Sequence, residues 1–508
     1  MEGRSEMTSS RWTRVGLGAI GVVYLVAAIC LMPLNADDIA LAGAYSSDEA
    51  NSANQILNLY AVGLGTAPSF FYGGGFFYPP AVFLHVIGFF THVDQHTVIL
   101  TLRAFCTAAG LGCICLTYLL GLMAVGPLVG LLGALFLAST PGMLRWAVEG
   151  HPDLPQLFWT LVALVCCIRM LSDSRRRWPL LVGGAAGLAF GTKYGGLFLM
   201  PMLALALLAG PGDVIGLDGL RRLLRPIAEA PFWLRLAGAA VAFGLAFALT
   251  NPFAILNPGD LYAELNEHKA ILEFGHMLKV TEPGIAWIGL LSGGLGWIHL
   301  IAGAAGGVLF TVRLARGEPV FKALLLLMAW TVVYLAYLWI NVYVRRERHL
   351  LPVLPAVTLV AAWAYVEGMA FLRRRTGMAN GAVGLLIAGL AVASVQPALA
   401  MAEVFGSKWE AAHTPTPELE AGRWLAETYR PETTILYDAY AYVPSRFANS
   451  YRVFGLSYPL VQHFEPDLVV ARDAIARDFS DTTRRQNTAA GARLSWIITT
   501  SMPTWQGA

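Results

Sequence analysis

The chain has 508 residues, 56% hydrophobic and only 13% charged, against about 25% charged in an ordinary soluble domain. That excludes a water-soluble enzyme and predicts a mainly α-helical, multi-pass membrane protein. A formal net charge of +2 offers no basic surface for nucleic acid.

Cys30, Cys106, Cys113, Cys115, Cys166 and Cys167 all lie inside apolar runs, as small core residues and not as a disulfide or zinc framework. Arg4, Arg11 and Arg14 precede the first apolar run, residues 15–34. That run is long enough to span, and no small-residue cleavage pattern closes it, so it is expected as an uncleaved first span with a cytoplasmic N-terminus.

Residues 35–101 then form an outer segment. Ser46 can cap a helix and Glu49, three residues on, can complete a capping box. Ala50, Ala53, Ile56, Leu57, Tyr60, Ala61 and Leu64 follow at helical spacing, opposite Asn51, Gln55 and Asn58. This helix is expected to lie on the membrane surface, with Asp48 in its first turn, where the helix dipole keeps a carboxylate ionised. Two readings stay open there: a capping acid, or a carboxylate that carries chemistry. A second apolar patch, residues 70–90, contains Gly73-Gly74-Gly75 and Pro79-Pro80 and is expected as a re-entrant or interfacial hairpin.

Ten further spans are expected at residues 103–123, 128–146, 154–171, 179–190, 195–208, 236–253, 285–312, 321–340, 350–366 and 384–402. This count of eleven places the basic clusters at Arg175–Arg177, Arg221–Arg235, Arg313–Arg316 and Arg373–Arg375 on the cytoplasmic side. Arg345, Arg346 and Arg348, beside His349, fall instead on the outer face. A cation at membrane depth costs about 2.5 to 3.5 kcal/mol, so these call for anionic partners, unless one span is miscounted. Residues 1–402 thus form a transmembrane domain with outer loops at 35–101 and 254–284. Past residue 403 an amphipathic helix, 418–429, and apolar runs of strand length at 434–437, 468–470 and 496–500 predict a small extracytoplasmic α/β domain, residues 403–508.

Five polar sites converge on one side in this topology: Asp48-Glu49, His151 with Asp153, Lys193, the loop with Glu264 and His268, and Arg345 to His349. A cavity acidic on one wall and basic on the other suits a lipid phosphate held by charge-assisted bonds. Each group also has a plainer explanation. Asp153 can simply begin a helix, Lys193 can snorkel from a hairpin tip, and the helical spacing of Glu264 and His268, which suits a metal, is common by chance.

The order of Asp48-Glu49, Tyr78-Pro79-Pro80, Arg103, Pro152-Asp153, Gly191-Thr192-Lys193 and the Arg-x-x-Arg-His-Leu-Leu-Pro-x-x-Pro run from Arg345 to Pro355 resembles the C-type glycosyltransferase superfamily. The chain looks like a bacterial member near the protein O-mannosyltransferase and lipid A aminoarabinose transferase group, over about residues 15–370. The resemblance implies inverting transfer of a sugar from a polyprenyl-phosphate carrier to a glycan, lipid or protein acceptor on the outer face of a bacterial plasma membrane. Asp48 matches the catalytic aspartate, Glu49 its neighbour and Asp153 the second acidic loop. Lys193, Arg345, Arg346, Arg348 and His349 surround the carrier phosphate, and His151, Tyr78, Glu264 and His268 are candidate acceptor contacts. Tyr78 is a departure, since the aminoarabinose branch carries lysine there. No cofactor is fixed by the resemblance, and a divalent cation is the one candidate. Other readings are a flippase or transporter of an anionic lipid head group, which needs the basic cavity without Asp48, and a structural subunit.

Overall fold

The computed structural model describes residues 2–173, 175–212, 214–221, 223–274, 284–342, 345–376, 379–414, 417–438, 441–453, 463–471 and 497–499. Helix α1 (Glu2–Leu31) leads into a small helical unit of α2 (Ile39–Tyr45), α3 (Ser47–Val62) and α4 (Gly74–Gly88). Then come α5 (Gln95–Ala124), α6 (Pro127–Ala138), α7 (Pro141–Val148), α8 (Asp153–Ser172), α9 (Arg177–Thr192), α10 (Leu199–Ala209), α11 (Leu217–Arg221), α12 (Ala230–Thr250), α13 (Pro252–Leu256) and α14 (Pro258–Phe274). After residue 284 follow α15 (Ala286–Leu295), α16 (Trp297–Ala315), α17 (Lys322–Asn341), α18 (Leu354–Thr376), α19 (Ala379–His413) and α20 (Pro417–Thr428).

Among the described residues, seven helices are long and apolar enough to cross a membrane: Arg11–Leu31 of α1, then α5, α8, α12, α16, α17 and most of α18. Helices α6 and α7, bent by 57° at residues 139–140, make an eighth if taken as one broken span. Eleven uninterrupted spans are therefore not what the described residues supply. The run 285–312 breaks at Gly296, whose φ of +83° ends α15 before α16 begins. The run 195–208 starts as a 3-10 turn, and 179–190 belongs to the 16-residue α9. The patch at 70–90 is no hairpin. It is the single helix α4, carrying Pro79 and Pro80, with Phe76, Phe77, Ala81 and Leu84 buried.

Two apolar cores result. The larger fills the space between α5, α6, α8, α10, α17 and α18 around Leu161, Leu203, Trp330, Leu359 and Trp363. The smaller, around Ile56, Phe76, Phe77, Leu84, Ile99 and Leu102, fastens the α2–α4 unit onto α5. At a bundle end Lys322 Nζ donates to the carbonyls of Ala209, Gly210 and Pro211 at 2.8, 3.0 and 2.8 Å, satisfying the C-terminus of α10. There β1 (Val214–Ile215) and β2 (Val320–Phe321) pair antiparallel.

Beyond α19, α20 packs on a parallel sheet of β3 (Ile435–Asp438), β4 (Ser450–Val453), β5 (Leu468–Ala471) and β6 (Ile497–Thr499), ordered β4-β3-β5-β6. Tyr442 Oη donates to Asp38 Oδ2 at 3.1 Å, and Arg452 Nη1 to Asn51 Oδ1 at 3.1 Å. The C-terminal sheet unit therefore sits against α2 and α3, on the same side as Asp48.

Candidate active site

Asp48 owes its position to Ser46, which ends α2 and caps α3, its side chain accepting from Glu49 N at 3.4 Å. The second half of the capping box is not made. The Glu49 carboxylate turns the other way, bidentate with Arg103 (Nε to Oε1 2.6 Å, Nη2 to Oε2 2.9 Å), while Arg103 Nη1 donates to Met32 O and Leu34 O at 2.7 and 2.6 Å. Both side chains are buried. Glu49, expected beside Asp48 in the chemistry, is thus the anchor of α3 on α5 and on the turn that follows α1, since buried charges persist only when paired this fully.

His151 comes from the turn before α8, and Asp153 is the first residue of that helix. Gly150 stands there with φ +59°, where a Cβ would lie 2.8 Å from Leu102 and 3.0 Å from Glu49 Oε1, so only glycine brings the chain this close. Lys193 ends α9 at a second close approach. Gly73 N donates to Thr192 O at 3.1 Å, and a Cβ on Gly73 would fall 1.9 Å from Gly191 O. Asn251 braces the junction from both sides, accepting from Gly74 N at 2.7 Å and donating to Gly191 O at 3.0 Å. The Gly73–Gly75 run is a docking surface for α9.

These supports converge on one cluster. Arg348, on the 3-10 turn Glu347–Leu350, donates from Nη1 to Asp48 Oδ2 at 2.6 Å. The same nitrogen is 2.7 Å from His151 Nε2, which lies 3.0 Å from Asp48 Oδ2. His151 Nδ1 contacts Asp153 Oδ2, and Lys193 Nζ donates to Asp153 Oδ1 at 2.6 Å. Burial opposes the charge of Asp48, but the His151 contact and the Arg348 guanidinium outweigh it and hold the carboxyl well below the usual range. Burial also opposes the charge on Arg348, and the carboxylates of Asp48 and Asp153 more than restore it. His349 is held well below the ordinary histidine value, first by burial and then by the charges of Lys193 and Arg348.

The structure thus gathers Asp48, His151, Asp153, Lys193 and Arg348, with His349 next to Arg348. Arg345 is buried, its guanidinium 5.7 Å over Trp287, whose ring lies 6.3 Å from His349. Arg346 is exposed and makes no ion pair among the described residues. Tyr78 is elsewhere, its Oη 3.5 Å from Thr66 O, and Glu264 Oε1 accepts from Ser69 Oγ at 3.2 Å. The side chain of His268 lies outside the described residues. Among the described residues no group of three His, Cys, Asp or Glu side chains is arranged to hold a metal ion.

Several neighbours carry no sequence signal of their own. Tyr72 Oη is 3.4 Å from His151 Nε2, and Trp146 lies 5.7 Å beneath the Arg348 guanidinium and 5.1 Å from the His151 ring. Arg145 pairs with Glu347 at 2.7 Å, fixing the Arg348 turn to α7, and Gln156 Nε2 donates to Lys193 O at 2.9 Å. Only the positive character of the 345–349 run hinted at acidic partners. Beyond Trp146 a cavity of about 340 Å³ is lined by Tyr45, Ser46, Glu49, Glu149 and Lys408, the last two ion-paired at 2.7 Å.

Residues 79–216 match the family model of dolichyl-phosphate-mannose-protein mannosyltransferases. A search of curated proteins finds no match. Among solved structures the chain is similar to ArnT from Cupriavidus metallidurans bound to undecaprenyl phosphate, at TM-score 0.53 and 15% identity, over 94% of this chain and 89% of that one. It is also similar to the oligosaccharyltransferase AglB from Archaeoglobus fulgidus in complex with an inhibitory peptide and a dolichol-phosphate, at 0.52 and 12%, over 83% of this chain and 62% of that one. A third likeness is to the Archaeoglobus fulgidus oligosaccharyltransferase tethered with an acceptor peptide, at 0.53 and 14%, over 86% and 63%. The chain therefore has the fold of the C-type glycosyltransferases across nearly its whole length and resembles the mannosyltransferase and ArnT branch of that superfamily.

Proposed function

We propose that the protein is an inverting glycosyltransferase that moves a sugar from a polyprenyl-phosphate carrier to an acceptor on the outer face of a bacterial plasma membrane. The observation that carries this reading is the Asp48–Arg348 contact at 2.6 Å, which puts a carboxylate and a phosphate-holding cation in one half-buried cluster. The carriers named with the similar structures, undecaprenyl phosphate and dolichol-phosphate, belong to the proposed donor class.

The chemistry follows from the charges. A lipid phosphate is already a good leaving group, so cations that absorb its developing charge are the main requirement. Arg348 and Lys193 hold that phosphate, with Arg345 and His349 behind them. The acceptor hydroxyl is a poor nucleophile, and Asp48 takes its proton as it attacks the anomeric carbon from the face opposite the phosphate. That inverts the configuration. Asp153 keeps Lys193 and His151 in place, and Glu49, through Arg103, fixes the helix that carries Asp48.

The test is incubation of the purified protein in liposomes with a panel of polyprenyl-phosphate sugars, following release of carrier phosphate and the anomer of the product. Asp48→Asn is expected to lower the transfer rate by about 10²- to 10⁴-fold, the usual weight of a general base. An Asp48→Asn protein that transfers at the original rate removes the base assignment, and movement of label across the bilayer with no new glycosidic bond replaces the reading with lipid translocation.

A further inference from the structure

One nitrogen, Arg348 Nη1, touches both proton-accepting groups of the cluster: Asp48 Oδ2 at 2.6 Å and His151 Nε2 at 2.7 Å. Arg348 Nε is buried and meets no acceptor among the described residues, so this side chain has a donor left for a ligand. His151 is completely buried, with Nδ1 against Asp153 Oδ2. An imidazole whose Nδ1–H points at a carboxylate carries a lone pair on Nε2, and here that lone pair is covered by the guanidinium.

We propose that Arg348 is a donor-operated latch: the arriving carrier phosphate draws the guanidinium off Asp48 and His151, and only then do these two groups form the relay that receives the acceptor's proton. This rests on the function proposed above and gives His151 a part in it.

In the transfer step the acceptor oxygen bonds to the anomeric carbon while that carbon's bond to the phosphate oxygen breaks, the electron pair leaving with the carrier. The hydroxyl proton goes to Asp48 Oδ2 and on to His151 Nε2, 3.0 Å away, while Nδ1–H stays against Asp153. The phosphate passes from one negative charge to two, with Arg348 beside it as the second develops. When the carrier leaves, the guanidinium returns, and its charge drives the proton from the relay to water. A resting enzyme therefore keeps its proton acceptors covered until a donor is present.

The groups facing the relay are Asp48 from α3, Tyr72 before α4, Cys106 from α5, Asp153 from α8, Lys193 at the end of α9, Tyr334 from α17, and Arg348 with His349. At rest the cations Lys193 and Arg348 answer the carboxylates of Asp153 and Asp48. A phosphate that engages Arg348 leaves Asp48 without that cation, so the carboxylate and the phosphate compete for one guanidinium.

The probe is a short-chain polyprenyl methyl phosphodiester, which carries one charge, does not titrate near neutrality and has no sugar to transfer. Binding to the full chain in lipid nanodiscs is measured by calorimetry at neutral pH. The latch requires a probe affinity about tenfold higher in Asp48→Asn than in the wild type, a coupling of ordinary size. An Asp48→Asn affinity equal to or below the wild type overturns the latch while leaving lipid-phosphate recognition in place. Failure of the wild type to bind the probe overturns the proposed function and the latch with it. Asp48→Ala is the second variant, of which the same rise is required if Asp48→Asn does not fold. For His151 the readout is kinetic: His151→Gln should bind the donor with KM little changed while kcat falls, and an unchanged kcat removes His151 from the relay.

Discussion

Asp48 and Glu49 are neighbours with different fates, because successive residues of an α-helix point about 100° apart. Asp48 looks into the cluster with His151 and Arg348, and Glu49 looks into the protein at Arg103. Adjacency in sequence made both look catalytic, whereas helical geometry separates them. His349 carries a residue-scale expectation. Half-buried and held well below its ordinary value, it stays neutral in the folded protein where the unfolded chain takes up a proton near pH 6.5. Its contribution to stability is then full above that pH and falls as the solution becomes more acidic, by at most about 1.4 kcal/mol per pH unit. The melting temperature of the detergent-solubilised protein should drop between about pH 7 and 5, and His349→Gln should flatten that drop. An unaltered slope in the variant means other groups set it.

At the scale of elements, the capped helix α3 and the first residue of α8 were legible, since capping residues and apolar spacing are local properties. The 70–90 patch was not. Its glycines and prolines suggested a break, yet α4 runs through Pro79 and Pro80, losing two ladder hydrogen bonds. What compensates is tertiary: Phe76, Phe77 and Leu84 fill the smaller core, and the N-terminus of α4 is fastened to α9 and α12 through Asn251. The Glu49–Arg103 pair is the corresponding fastening for α3, because one guanidinium serves a carboxylate and two backbone carbonyls. Removing one partner leaves a buried charge uncompensated, at a cost of about 3 to 5 kcal/mol. Arg103→Ala should therefore lower the melting temperature far more than substitution of the exposed Arg346, and an equal effect would deny Arg103 its role as anchor.

At the scale of the whole molecule, the C-terminal sheet unit touches α2 and α3 through Tyr442 and Arg452, which sets it on the face that holds Asp48. The clustered Arg373–Arg375 end α18. If that end is cytoplasmic, a membrane-impermeant thiol reagent applied to intact spheroplasts should label Ser445→Cys and should reach Arg374→Cys only after permeabilisation. The reverse pattern inverts the orientation.

The sequence by itself determined a polytopic helical membrane protein, a capped acidic helix after the first span, and a group of arginines whose position demanded anionic partners. These are consequences of composition, local capping and charge. Only the tertiary structure decided that Arg348 meets Asp48 across 300 residues of chain, that Glu49 is claimed by Arg103, and that His151 stands between two carboxylates. Apolar periodicity records which face of a helix is buried. The partner of a buried charge depends on which loops the packed bundle brings within three ångströms, and no local pattern encodes that.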